Sequence, residues 1–141
     1  MTISLRKARK IISTALVKGQ EMGLKPLSVV VVDAGGHTIA FERQDGASPG
    51  RYAIAHGKAN GCVMLGLPGS AIQTRADAQA YFVGALNGLY GGDFVPVQGG
   101  VLVKDAKGNT LGAVGVTGDT SENDAAVAVA GIEAAGLIAQ A

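Results

Sequence analysis

The chain has one cysteine, Cys62, and no tryptophan, and aromatic residues make up only 4% of its 141 positions. A lone thiol leaves no partner for an intrachain disulfide and no cysteine cluster for a metal. Scarce aromatics argue against the stacking platforms of single-strand nucleic-acid binders. Charge of one sign is missing too. Twelve basic side chains face eleven acidic ones, a net of +1, so there is no electrostatic footprint for nucleic acid or a membrane surface. No apolar run approaches the roughly 20 residues that span a bilayer. Residues 1–22 carry Arg6, Lys7, Arg9 and Lys10 and space their apolar residues as a helix does, not as a leader's continuous hydrophobic region. The expectation is a cytoplasmic chain with neither a nucleic-acid nor a membrane partner.

What is present is apolar. Hydrophobic residues make up 48% of the chain and charged ones 16%, more than a small domain can bury internally given its large surface-to-volume ratio. The surplus points to subunit contacts and a homo-oligomer. The length suits one domain, residues 1–141.

Leu5, Ala8, Ile11, Ile12, Ala15 and Leu16 repeat at helical spacing behind Ser4, and Gly23 and Pro26 end the helix. Leu27 to Val32 is a β-branched run suited to a buried strand, and Thr38 to Arg43 returns as a second. A helix is predicted from about Arg51 to Leu65, a third helical stretch from Ser70 to before Gly88, and strands at Phe94–Val95, Val101–Lys104 and Thr110–Val116. Thr120 and Ser121 then cap a final helix. Asp33-Ala-Gly-Gly36 and Asp105-Ala-Lys-Gly108, 72 residues apart, read as one hairpin turn used twice. The order α-β-β-α-α-β-β-β-α predicts an α+β domain, a mostly antiparallel sheet of about five strands with helices packed on it.

Five segments carry a family resemblance: Val31-Val-Asp33-Ala-Gly-Gly36, Phe41-Glu-Arg43-Gln-Asp45-Gly-Ala47, Gly57-Lys58-Ala59, Val95-Pro-Val97-Gln-Gly99-Gly100 and Gly112-Ala-Val-Gly115-Val-Thr-Gly118. In this order they resemble the GlcG/HbpS family, also seen as the C-terminal domain of PduO proteins. The resemblance implies a profilin-like sandwich, assembly into dimers or larger rings and, for some members, haem binding or degradation. It bears on fold more than on function.

Arg43 and Lys58 fall inside two of those segments and form the candidate anion-binding pair. Arg43 could clamp a carboxylate through two parallel bonds and Lys58 add a point charge. The competing reading is salt bridging to Asp45 or another acid. His56, a candidate ligand or acid–base group, shares its helical strip with Tyr52 and Asn60. Its alternative is a hydrogen-bonded histidine at a packing contact. His37 sits at a hairpin tip, where side chains are usually solvated. His56 and Cys62 point roughly 240° apart on a helix, so that pair is not a metal site. Gly99 and Gly100 would let backbone amides approach a ligand, and Thr117 leads toward a helix N-terminus. Asp119, Glu122 and Asp124 crowd that end with negative charge, so a phosphate is disfavoured and no nucleotide cofactor is expected. Glu122 could move protons if buried, or simply stabilise its helix.

Two function classes follow. One is a small-molecule-binding oligomer for haem, another tetrapyrrole or a planar carboxylate, using Arg43, Lys58, His56, Gly99, Gly100 and Thr117. The other is an isomerase- or lyase-type enzyme on a small carboxylate, with His56, Lys58 or Glu122 moving protons. A scaffold without chemistry ranks third. The first helix offers no histidine as a haem ligand.

Overall fold

The run Val29–Val32 is wholly buried, and alternate side chains of that strand serve two separate cores. The computed structural model describes residues 2–141. Its elements are α1 (Leu5–Glu21), β1 (Ser28–Asp33), β2 (Thr38–Arg43), α2 (Arg51–Leu65), α3 (Gly69–Ala78), α4 (Ala80–Leu89), β3 (Gly100–Lys104), β4 (Thr110–Thr117), α5 (Ser121–Ala134) and β5 (Ile138–Gln140). The strands form one antiparallel sheet in the order β2-β1-β4-β3-β5. Because side chains alternate across a strand, Val29, Val31, Val114 and Val116 pack with Ile11 and Ile12 of α1 and Val127 and Ile132 of α5. Val30, Val32, Leu102 and Ala113 face the other way, onto Ala55, Ala59 and Cys62 of α2 and onto Ile72, Val83, Leu86 and Phe94. The result is the expected sandwich, a sheet with helices on both faces.

The repeated turn is real. Asp33 Oδ1 accepts from the N–H groups of Gly35 and His37, and Asp105 Oδ1 from those of Lys107 and Asn109. Gly36 and Gly108 adopt φ of 84° and 85°, a region glycine enters without steric cost.

Three local features differ from the sequence expectation. The third helical stretch breaks at Gln79 (φ −141°, ψ 63°) into α3 and α4. Phe94–Val95 is not a strand. Phe94 is a buried anchor whose ring lies against Gly61, and the Val95 N–H donates to the Gly57 carbonyl. A short β5 follows α5 and covers the β3 edge.

Candidate functional site

Residue register brings several predicted site residues to one end of the sheet. Ser28 pairs with Arg43 on one side and with Thr117 on the other, so Arg43, Ser28 and Thr117 form a row across β2, β1 and β4. With strands spaced about 4.8 Å, the row spans roughly 10 Å. Ser28 is fully buried, and its Oγ has no hydrogen-bond partner among the described residues.

Thr117 leads to Arg51, at the first turn of α2. Arg51 Nη1 donates to Thr117 Oγ1 at 2.9 Å and its Nε to Ser48 Oγ at 3.1 Å. Sequence reading missed Arg51 as a site residue. The Ser48-Pro-Gly50 punctuation marks a helix start, but only the tertiary row shows what the guanidinium meets.

Lys58, from the next turns of α2, is 4% exposed and Asp124 of α5 is 1% exposed. Lys58 Nζ donates to the Val116 carbonyl at 2.9 Å and to Asp124 Oδ2 at 3.2 Å, while Asp124 Oδ1 accepts the Asp119 N–H. The pair thus joins helices on opposite faces of the sheet. Burial draws the Lys58 amine down and pushes the Asp124 carboxyl up, each opposed by the other's charge. Gly99 and Gly100 make room for this arrangement. A Cβ on Gly99 would stand 2.8 Å from Lys58 Nζ, and one on Gly100 would meet the Lys58 backbone and Cys62 Sγ. So Lys58, Gly99, Gly100 and Thr117 do gather. Lys58 is engaged with an acid, while Arg43 has none within salt-bridge reach among the described residues.

Asp119 closes the cluster. Its carboxylate accepts from the Asn123 side chain and from the N–H groups of Thr120 and Lys25, and these bonds hold its pKa down to about 2 against an ordinary 3.8. A depressed carboxyl contributes its stability above the unfolded value and loses it as pH falls through the folded one. The stability gap between the wild type and Asp119→Asn is therefore expected to be full above about pH 4 and to close toward pH 2. Urea midpoints across that range check it, and a gap that does not vary with pH would contradict it.

His56 lies elsewhere, on the face of α2 toward the first hairpin. Its Nδ1 meets the Asp93 carboxylate at 2.8 Å and its Nε2 the Gly36 carbonyl at 2.9 Å. Both partners are acceptors, so both bonds form together only when both ring nitrogens carry hydrogen. In that arrangement neither nitrogen has a lone pair for a metal. Asn60 donates to the Asp93 carbonyl alongside, and Tyr52 Oη lies 2.8 Å from Thr38 Oγ1. His37 is exposed at the hairpin beside Asp33. Glu122 is exposed in the first turn of α5. Cys62 is buried, with its thiol pushed up to about 12, and is inert as a nucleophile.

Two hollows open at the end of the sheet that carries the row. The larger, about 490 Å³, is lined by Leu16, Gly19, Gln20, Leu24, Pro26 and the segment Glu42 to Asp45, Arg43 included. The smaller, about 210 Å³, is lined by Lys25, Pro26, Gly46, Ala47, Ser48, Arg51 and Gly118. Pro26 borders both.

The model of the HbpS-like haem-degrading proteins matches residues 3–133. The chain belongs to the HbpS-like family. HbpS of Streptomyces reticuli, solved as a double mutant, is 31% identical over 94% of this chain and 86% of its own, with a TM-score of 0.81. Klebsiella pneumoniae ORFY is 25% identical over 96% and 92%, with a TM-score of 0.84. A PduOC:heme complex shares the fold at 23% identity over 95% of both chains, with a TM-score of 0.84. No curated protein matches the chain. Among the described residues no helix is long and apolar enough to cross a membrane, and no group of three or more His, Cys, Asp or Glu is placed to hold a metal ion.

Proposed function

We propose that the chain is a binding protein for a tetrapyrrole or similar planar carboxylate, seated in the hollow lined by Arg43. The observation that carries this reading is the hollow itself. Its volume falls within the few hundred to a thousand Å³ usual for small-ligand sites. Leu16, Leu24 and Pro26 supply apolar wall, and Arg43, which has no acid within salt-bridge reach among the described residues, lines the hollow beside Glu42 and Asp45. Membership in a haem-related family and the heme complex of a fold relative support the ligand class.

The fit to haem is partial. Carboxylates and a flat apolar face suit this hollow, but among the described residues no histidine, cysteine, methionine or tyrosine lines it. Bound haem would bring a redox-active iron. The contribution of this chain is to hold the carboxylate at Arg43 and shield the ring at Leu16 and Leu24. Hemin and iron-free protoporphyrin IX are therefore expected to bind with similar affinity, and Arg43→Ala to weaken both about ten-fold, the worth of a charge-assisted bond. Absorbance and fluorescence titrations check this. Non-saturating uptake by the wild type would overturn it.

Proton transfer on a small carboxylate is less well supported. Lys58 and His56 are held in hydrogen bonds on different sides of α2, and Glu122 is in neither group. Self-association belongs to the proposal. Helix α4 carries no charged residue, and Tyr81 and Leu89 stand 76% and 75% exposed on it, the apolar surface that oligomers cover. Sedimentation is expected to give an oligomer that Tyr81→Glu shifts toward monomer. A monomeric wild type would contradict it.

A further inference from the structure

The small net charge hides a local imbalance. Four of the twelve cations, Arg6, Lys7, Arg9 and Lys10, fall within five residues, and no acid precedes Glu21. All four stand in the first two turns of α1. Arg6 and Lys10 are four residues apart and Lys7 and Lys10 three, the spacings at which side chains on one helix face meet, so they repel. Arg6 and Lys7 also occupy the first turn, where the helix dipole is positive. None of the four has an acid within salt-bridge reach among the described residues.

Three of these cations converge on a hollow of about 300 Å³ between α1 and the C-terminal end of α5, lined by Arg6, Lys7, Lys10, Ala134 and Ala135. Two features of α5 oppose their charge, and both fall short. Its C-terminal dipole is worth about half a negative charge, against three positive ones at the hollow. Glu133, next to Ala134, is exposed and pairs with no cation among the described residues. The backbone of α1 is not the attraction either, since Ser4 Oγ already accepts the Lys7 N–H. What the hollow offers is cationic side chains and a wall of two alanines small enough to leave it open.

We propose that this hollow binds a compact polyanion, a phosphorylated or polycarboxylate compound, held by Arg6, Lys7 and Lys10. It lies toward the opposite end of α1 from the hollow of Leu16, Gly19 and Gln20 and stands independently of the planar-acid reading. The Arg6 fork takes two oxygens of one anionic group and the two ammoniums take the remaining charge. A monoanion leaves most of the repulsion in place and binds weakly.

Calorimetric titration with pyrophosphate, citrate and acetate tests the site on the wild type, Lys10→Glu, Ala134→Leu and Lys107→Glu. The wild type is expected to bind a polyanion saturably, the tighter of pyrophosphate and citrate naming the anionic group, and acetate at least about ten-fold more weakly. Lys10→Glu is expected to lower polyanion affinity about ten-fold or more. Ala134→Leu, which fills the hollow and removes no charge, is expected to lower it as well. Lys107→Glu makes the same charge change on the exposed turn between β3 and β4 and is expected to leave affinity nearly unchanged. Equal losses in Lys10→Glu and Lys107→Glu would reveal diffuse attraction and overturn the site. Unchanged affinity in Ala134→Leu, or no saturable binding by the wild type, overturns it too. Thermal unfolding without ligand separates a purely structural role. Lys10→Glu is expected to raise the melting temperature by relieving repulsion, whereas a fall would show that Lys10 serves the α5 end and overturn the proposal.

Discussion

Asp124→Ala is expected to cost about 3–5 kcal/mol of unfolding free energy, the usual effect of stripping one partner from a buried ion pair. The carboxylate is 1% exposed and accepts from both Lys58 Nζ and the Asp119 N–H. Without it, an ammonium 4% exposed keeps only the Val116 carbonyl. Removing both charges, as in Lys58→Met with Asp124→Leu, is expected to cost less than Asp124→Ala alone, because the desolvation penalty leaves with the pair. Urea unfolding of the three variants checks this, and a loss below about 1 kcal/mol for Asp124→Ala would contradict it. A pH signature accompanies the loss. Burial already lowers the Lys58 pKa from 10.5, and losing the Asp124 charge lowers it further. The folded variant then binds fewer protons than the unfolded chain below 10.5, so its stability rises as pH is raised toward that value.

Gly115→Ala is expected to be nearly as damaging, about 3 kcal/mol, at the upper end of overpacking losses. Gly115 lies in β4, with neighbours on both sides, directly beneath α2. A Cβ there would overlap the Ala55 carbonyl oxygen and stand 3.2 Å from the Ala59 Cβ. Both obstacles belong to a helix that cannot rise without opening the core that Ala55, Ala59 and Cys62 share with Val30 and Ala113. Gly84→Ala is the control. It sits in α4 with nothing within 4 Å of the added carbon, so replacing a helical glycine is expected to stabilise by up to about 1 kcal/mol. The same urea series reads both. Equal effects at the two positions would show that packing against α2 is not what Gly115 serves.

Much of the fold was legible because local chemistry and tertiary structure agree. The Val29–Val32 run announces a doubly covered strand, Ser4 and Thr120 cap the helices they precede, and the two Asp–Gly turns repeat bond for bond. The Phe94–Val95 prediction failed for a physical reason. A β-prone pair also suits an anchor against a glycine-lined helix, and Gly57 and Gly61 of α2, some 35 residues earlier, supply that helix. For the site, the sequence offered Arg43, Lys58, His56, Gly99, Gly100 and Thr117 as one ligand set, of which the fold gathers Lys58, Gly99, Gly100 and Thr117 and holds His56 elsewhere, against Asp93 and Gly36. The sequence could not show that Lys58 would find Asp124 on the opposite layer, nor that Arg43 would have no acid in reach. The contribution of Arg51 was invisible for the same reason. Its partner Thr117 is 66 residues away, and no local motif encodes that contact between the first turn of α2 and the end of β4.

The central claim is that the planar acid sits in the hollow between α1 and the end of β2. Backbone amide shifts during titration with iron-free protoporphyrin IX test it most directly. The account predicts saturable changes at Leu16, Gly19, Gln20, Leu24 and Gln44, with smaller ones at the Gly36–His56–Asp93 contact. Changes confined to that histidine contact, with the α1 residues unmoved, would contradict it.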